Sequence, residues 1–165
     1  MNININEIFF AKTRETAKLP LKDPENAGLD VYADFEEPYK LVPPHETILI
    51  PTGIASSCSP DYCFILKERS STGIKGIAQR GGVIDSGYRG EWMIPITNVH
   101  EDWLCIAKEN IKLPDLNCRV HPYSKAICQV LVVPVPQVKV TELSYDELKG
   151  IDSKRENNGF GSSAK

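Results

Sequence analysis

Long apolar runs are missing from this 165-residue chain, and no stretch approaches the roughly 18 residues that a membrane-crossing helix needs. The first ten residues, MNININEIFF, have neither the basic start nor the long apolar centre of an export signal. A soluble, cytoplasmic protein is therefore expected. Charge of one sign is also scarce: 19 Lys and Arg face 22 Asp and Glu, a net charge of −3. That excludes a broad electrostatic footprint for nucleic acid or an anionic membrane, so any phosphate site must be local. No Cys-x-x-Cys pair occurs among Cys58, Cys63, Cys105, Cys118 and Cys128, and their number is odd. Reduced thiols are expected. His45, His100 and His121 show no metal-ligand spacing with each other or with the cysteines, which argues against a zinc site. Helical periodicity and internal repeats are lacking too.

What remains is a succession of short β-prone runs punctuated by Pro and Gly. Ile3 to Lys12, Ala27 to Ala33, Ile48 to Ile54, Tyr62 to Lys67, Met93 to Val99 and Ala126 to Val133 each read as strands. Ser144 to Lys149 alone reads as a helix, with Ser144 as N-cap, Glu147 three residues on and Gly150 as the stop. The segment 101–123 is mixed in character and reads as an extended loop or small insertion. One all-β domain, a barrel or sandwich, follows from this pattern.

Four places in the chain have chemical potential. In Gly81 to Gly90, GGVIDSGYRG, an apolar pair, a lone carboxylate and a Ser-Gly dipeptide suggest a strand turning back on itself. Gly81 and Gly82 allow a ligand to lie against the backbone, and Asp85 is then either a general base or the acidic tip of a surface hairpin. Arg69-Ser70-Ser71 combines a guanidinium fork with two hydroxyls, a set that suits phosphate oxygens. Gln129 is polar within the most apolar run, and is either a satisfied core amide or a ligand contact. Phe160 stands between two glycines in a polar tail, with Ser162 and Ser163 after it.

Taken in order, five segments resemble the trimeric deoxyuridine triphosphatase (dUTPase) family. They are AGLDVYA (27–33), RSSTGIKG (69–76), GVIDSGYRG (82–90), AICQVLVVP (126–134) and RENNGFGSS (155–163). The resemblance implies a distorted jelly-roll β-barrel over 1–150, with one short helix, and a flexible C-terminal flap over 151–165. It implies a homotrimer with active sites at subunit interfaces, dUTP as substrate, and release of dUMP and pyrophosphate with Mg²⁺. Asp85 would activate the water that attacks the α-phosphorus. The backbone of Gly82, Val83 and Ile84 would read uracil, Gln79 would touch the base, and Tyr88 would exclude a 2′-OH. Arg69, Ser70, Ser71 and Gln129 would hold phosphates. Phe160 and Gly161 would close over the base, while Arg155, Ser162 and Ser163 clamp the distal phosphates. Mg²⁺ would ride on the triphosphate without a direct protein ligand, and Asp30 would reach it through water.

Two departures stand out: Glu68 replaces a proline beside the phosphate segment, and Glu156 replaces a glycine after Arg155. Two alternatives accompany this reading. A dCTP deaminase would need a glutamate where Pro95 stands, and proline cannot act as that base. A nucleotide-gated regulator with a protein partner would use the same binding residues, so a regulatory partner is compatible with either role.

Overall fold

Residues 7–154 are described in a computed structural model of the chain. In chain order the strands are β1 (Ile8–Lys12), β2 (Leu29–Val31), β3 (Tyr39–Val42), β4 (Thr47–Pro51), β5 (Ile54–Cys58) and β6 (Tyr62–Lys67). A helical turn, α1 (Ser70–Gly73), precedes β7 (Ile77–Gln79), β8 (Val83–Ile84), β9 (Met93–Asn98), β10 (Trp103–Ala107), β11 (Cys118–Pro122) and β12 (Cys128–Pro134). Helix α2 (Tyr145–Lys149) follows. The sheets are β1-β5, β11-β10-β3, β2-β12-β6-β8 and β4-β9-β7, and strands far apart in sequence are neighbours, as a jelly roll requires.

Alternation of buried and less buried residues shows why these segments form strands around one core. In β9, Ile94, Ile96 and Asn98 point inward while Met93, Pro95 and Thr97 do not. In β5, Ile54, Ser56 and Cys58 do the same. Trp92 is fully buried and meets Phe10 and Phe64 edge-on, with ring centroids 5.4 and 5.2 Å away. Its indole N–H would be costly to bury alone, and it donates to Ser56 Oγ at 3.1 Å. The inward serine of β5 exists for that bond.

Two features differ from the sequence reading. The segment 101–123 is not simply a loop: β10 pairs antiparallel with β3 and parallel with β11, and Leu104, Cys105 and Ile106 are buried. Its short apolar run was masked by polar residues on both sides. A second short helix, α1, joins the expected α2; its four residues offer no periodicity to read. Helix α2 keeps the expected Ser144–Glu147 capping box, with none of its residues buried.

Candidate active site

Gln129 lies at the centre of a row across the four-stranded sheet. Within β12 it pairs with Asp30 of β2 on one side and Lys67 of β6 on the other. Its Nε2 donates to the Glu68 carbonyl at 2.9 Å. Its Oε1 lies against Gly28, where an added Cβ would stand only 2.6 Å from it. Gly28 is thus demanded by the close approach of the amide. Glu68 enters the site through its main chain in this bond.

Directly after β6, Arg69 caps α1. Buried Thr72 fixes the cap: its hydroxyl accepts from Arg69 N and donates to Arg69 O, both at 3.0 Å. Ser70 and Ser71 remain exposed on the turn. The Arg69 Nε donates to Asp30 Oδ1 at 2.8 Å, and Nη1 to Ser71 Oγ at 3.3 Å. Both members of the ion pair are partly solvated, so its main effect is to aim the guanidinium rather than to stabilise the fold. The resulting polar cavity holds ≈ 360 Å³ and is lined by Asn26, Ala27, Gly28, Asp30, Arg69, Ser70, Ser71 and Gln129. A second hollow of ≈ 340 Å³ shares Asn26, Gly28 and Asp30 with it and adds Lys22, Asp23 and Tyr32. Beneath it, burial pushes the Cys128 thiol up, and Asp30 and Glu68 add to that shift, so no thiolate contributes there.

Asp85 belongs to a different construction. Gly81 takes a positive φ of +56°, and Gly82 approaches β6 so closely that a Cβ would stand 2.9 Å from the Leu66 carbonyl. Leu66 N donates to Gly82 O at 2.7 Å. Buried Gln79 lies beside Gly82, and its amide donates to the Arg80 carbonyl. β8 pairs with β6 alone, leaving its outer edge without a strand partner among the described residues. The chain then turns, with Tyr88 N donating to Asp85 O at 3.1 Å. Arg89 Nη1 ties the turn by donating to the carbonyls of Ser86, Tyr88 and Ser56 at 2.6, 3.1 and 3.3 Å. Tyr88 folds over Gly90, and its hydroxyl donates to Glu91 O at 3.1 Å. The predicted turn is present, but not the strand returning on itself. β9, which follows, joins β4 and β7 instead of β8.

The residues predicted from the sequence therefore fall into two groups. Asp30, Arg69, Ser70, Ser71 and Gln129 meet at the cavity. Gly82, Val83, Ile84, Asp85 and Tyr88 follow β8 and its turn, with Gln79 at the end of β7 beside Gly82. Because Ile84 pairs with Phe64, Asp85 continues toward Cys63, at the end of β6 remote from Lys67. Four residues of strand separate those levels, roughly 13 Å. Arg155, Phe160, Gly161, Ser162 and Ser163 lie outside the described residues. No cluster of three or more His, Cys, Asp or Glu suited to a metal exists among the described residues.

Sequence reasoning overlooked Asn26, which carries no distinguishing signal in a polar loop, and a network between Asp34 and Glu91, which follow the two groups in sequence. Glu91 accepts from Arg14 Nη2 at 2.6 Å and Nη1 at 3.2 Å, and from the amides of Gly53 and Thr52 at 2.8 and 3.2 Å. Asp34, buried just after the Asp30 segment, accepts from Arg14 Nε at 2.8 Å, Tyr123 OH at 2.9 Å and Thr16 Oγ1 at 3.1 Å. Burial opposes ionisation of both carboxyls, but these donors outweigh it and their pKa values are lowered. Burial together with the Asp34 carboxylate pushes the Tyr123 phenol up to about 12.

Comparison with known proteins adds to this geometry. The dUTPase family profile matches residues 14–111. A deoxyuridine 5′-triphosphate nucleotidohydrolase of Gloeobacter violaceus is 31% identical over 143 residues, covering 85% of this chain and 84% of that one. The enzyme of that name from camelpox virus is 39% identical over 100 residues, covering 59% of this chain and 65% of its own length. Among solved structures, the Staphylococcus bacteriophage 80alpha dUTPase with dUpNHpp superposes with a TM-score of 0.76 at 25% identity, over 97% of this chain and 99% of that one. A mutant dUTPase of phage phi11 of S. aureus, described with a structural Mg(II) ion, has a TM-score of 0.68 at 22% identity, over 86% of this chain and 99% of that one.

Proposed function

The chain belongs to the dUTPase family, and from that premise we propose that it hydrolyses dUTP to dUMP and pyrophosphate at a site shared between copies of the chain. The observation that carries this reading is the convergence of Asp30, Arg69, Ser70, Ser71 and Gln129, from three separate segments, on one polar cavity. Its donors suit phosphate oxygens. Asp30 occupies Arg69 Nε and leaves most of the guanidinium fork to the ligand.

Asp85 takes the proton of the water that attacks the α-phosphorus, and the open outer edge of β8 offers Gly82 to Ile84 main-chain groups to uracil. Gln79, packed beside Gly82, supports that edge. Tyr88, fixed by its bond to Glu91 O, presents a rigid ring against the deoxyribose, where a 2′-OH would be excluded. Arg155, Phe160, Gly161, Ser162 and Ser163 complete the enclosure as a flap.

Mg²⁺ is the cofactor in this reading. A cavity with one carboxylate, already paired with Arg69, suits a cation carried on the triphosphate, with Asp30 reaching it through water. When bound, the ion offsets charge on the leaving pyrophosphate. The separation of Asp85 from the cavity along β6 supports a site assembled from more than one chain, a homotrimer. The arm after β12 supports it too. Val138 and Val140 are 76% and 91% exposed, apolar surface that another subunit would cover.

The test is to offer the purified protein dUTP, dCTP, UTP and dTTP with Mg²⁺, measuring pyrophosphate and ammonia separately. Pyrophosphate from dUTP alone is expected. Ammonia from dCTP, or no product from any of the four, would overturn the reading.

A further inference from the structure

The α1 turn is held from behind by a strand that the phosphate-binding segments do not include. Arg119 of β11 donates from Nη1 to the Lys75 carbonyl at 2.6 Å and from Nη2 to Asn98 Oδ1 at 2.9 Å. Lys75 closes the α1 turn, since its N–H donates to the Thr72 carbonyl at 3.1 Å. Gly76 comes next with φ +66°, and a Cβ there would collide with the His100 ring at 2.2 Å. The exit of the turn is thus packed against the end of β9 on one side and gripped by a guanidinium on the other.

Asn98 makes that grip rigid. It is fully buried and uses its whole amide: Nδ2 donates to the carbonyls of Val42 and Asp102 at 3.1 and 2.7 Å. Oδ1 accepts from His100 N at 3.2 Å as well as from Arg119. Arg119 is therefore braced on a residue tied to β3, β9 and the entry to β10. His121, two residues along β11 and also buried, lies on the same side of the strand as Arg119. Arg119 Nε is itself buried with no hydrogen-bond partner among the described residues. Leaving that N–H unsatisfied costs free energy, which the two charge-assisted bonds from Nη1 and Nη2 offset.

We propose that Arg119 is a positioning residue for dUTP hydrolysis, holding the Ser70–Lys75 turn so that Arg69, Ser70 and Ser71 meet the phosphates in register. It touches no substrate. The β10–β11 segment thereby shapes phosphate affinity from outside the cavity, a role that rests on the dUTPase reading of that cavity.

The test compares Arg119→Met and Arg119→Lys with wild type in kinetics and amide exchange. Losing two charge-assisted bonds behind the turn should raise KM for dUTP about tenfold in Arg119→Met, with kcat within about threefold. Lysine can reach one of the two acceptors, so Arg119→Lys should recover part of the affinity. Inhibition by deoxyuridine, which has no phosphate, should be unchanged. Hydrogen exchange at the amides of Thr72 to Gly76 should accelerate in Arg119→Met, a readout independent of whether dUTP is the substrate. Unchanged exchange, or faster exchange with unchanged KM, would overturn the proposal. So would a fall in kcat at constant KM, the mark of a smaller folded fraction. Wild-type protein inactive on dUTP would instead remove the functional reading beneath it.

Discussion

Around Gln129, three segments distant in sequence supply side chains that already bond one another, with Asp30 aiming Arg69 and Gly28 leaving room for the amide. Around Asp85, consecutive residues form a turn at a sheet edge, where the main chain is fixed and the carboxylate is exposed. The first region is a preorganised cavity whose lining residues come from one chain. The second is a rigid turn at a sheet edge that holds its carboxylate toward solvent. Under the proposed hydrolysis both would have to meet at one phosphorus atom, and their separation along β6 favours a site shared between copies of the chain. Within one chain, the Arg14–Asp34–Glu91 network ties the exit of one region to the exit of the other.

The strongest way to break this contrast is to disable each region separately. Asp85→Asn should lower kcat roughly 10³-fold while nucleotide binding persists. Arg69→Met should lose activity through binding. If the two regions serve one site from different chains, co-assembling the two inactive variants should restore measurable turnover. Continued inactivity of well-mixed assemblies would return both regions to the same chain.

Removing the tie between the regions comes next. Asp34→Asn takes a carboxylate from three donors and should destabilise the protein by about 2 kcal/mol at pH 7 in chemical denaturation. The pH dependence has a definite sign. Asp34 and Glu91 have folded pKa values below their ordinary 3.8 and 4.5, so their stabilisation is complete above those values. It is lost as pH falls through the lowered ones. Wild-type stability should therefore decline more steeply below about pH 3.8, the ordinary value of Asp34, than that of Asp34→Asn. Parallel acid profiles would show that the network is not the acid-sensitive element.

The smallest effects compare two glycines. Gly28→Ala forces Gln129 Oε1 to move from 2.6 Å, and should raise KM for dUTP about fivefold with little change in melting temperature. Gly87→Ala, in the turn after Asp85, meets nothing within 4 Å and should leave the isolated subunit unaffected. A substantial loss of activity in Gly87→Ala would sharpen the contrast, since it would reveal a neighbouring chain packed against that turn.

Much was readable before folding, for local reasons. Strand alternation, the Ser144–Glu147 capping box and the Asp85 turn depend on residues close in sequence, and each appears where its chemistry predicts. Ser-Gly turns and apolar pairs act over a few residues, so their geometry survives any arrangement of the rest. The five ordered motifs carried the family likeness for the same reason: each is short and contiguous.

Tertiary structure alone decided what required register between distant strands. Nothing near Gln129 in sequence announces Asp30 and Lys67 as its cross-strand partners, or Gly28 as the space its amide needs. Polar flanks concealed β10, and its place in the core emerged only through pairing with β3. The Arg14 and Arg119 networks join residues tens of positions apart. A charged side chain's partner is set by packing, which sequence pattern does not encode. The sequence by itself determined the β class, the turn at Asp85 and the donor types available for phosphate. Folding decided which donors share a cavity and left Asp85 remote from them in the same chain.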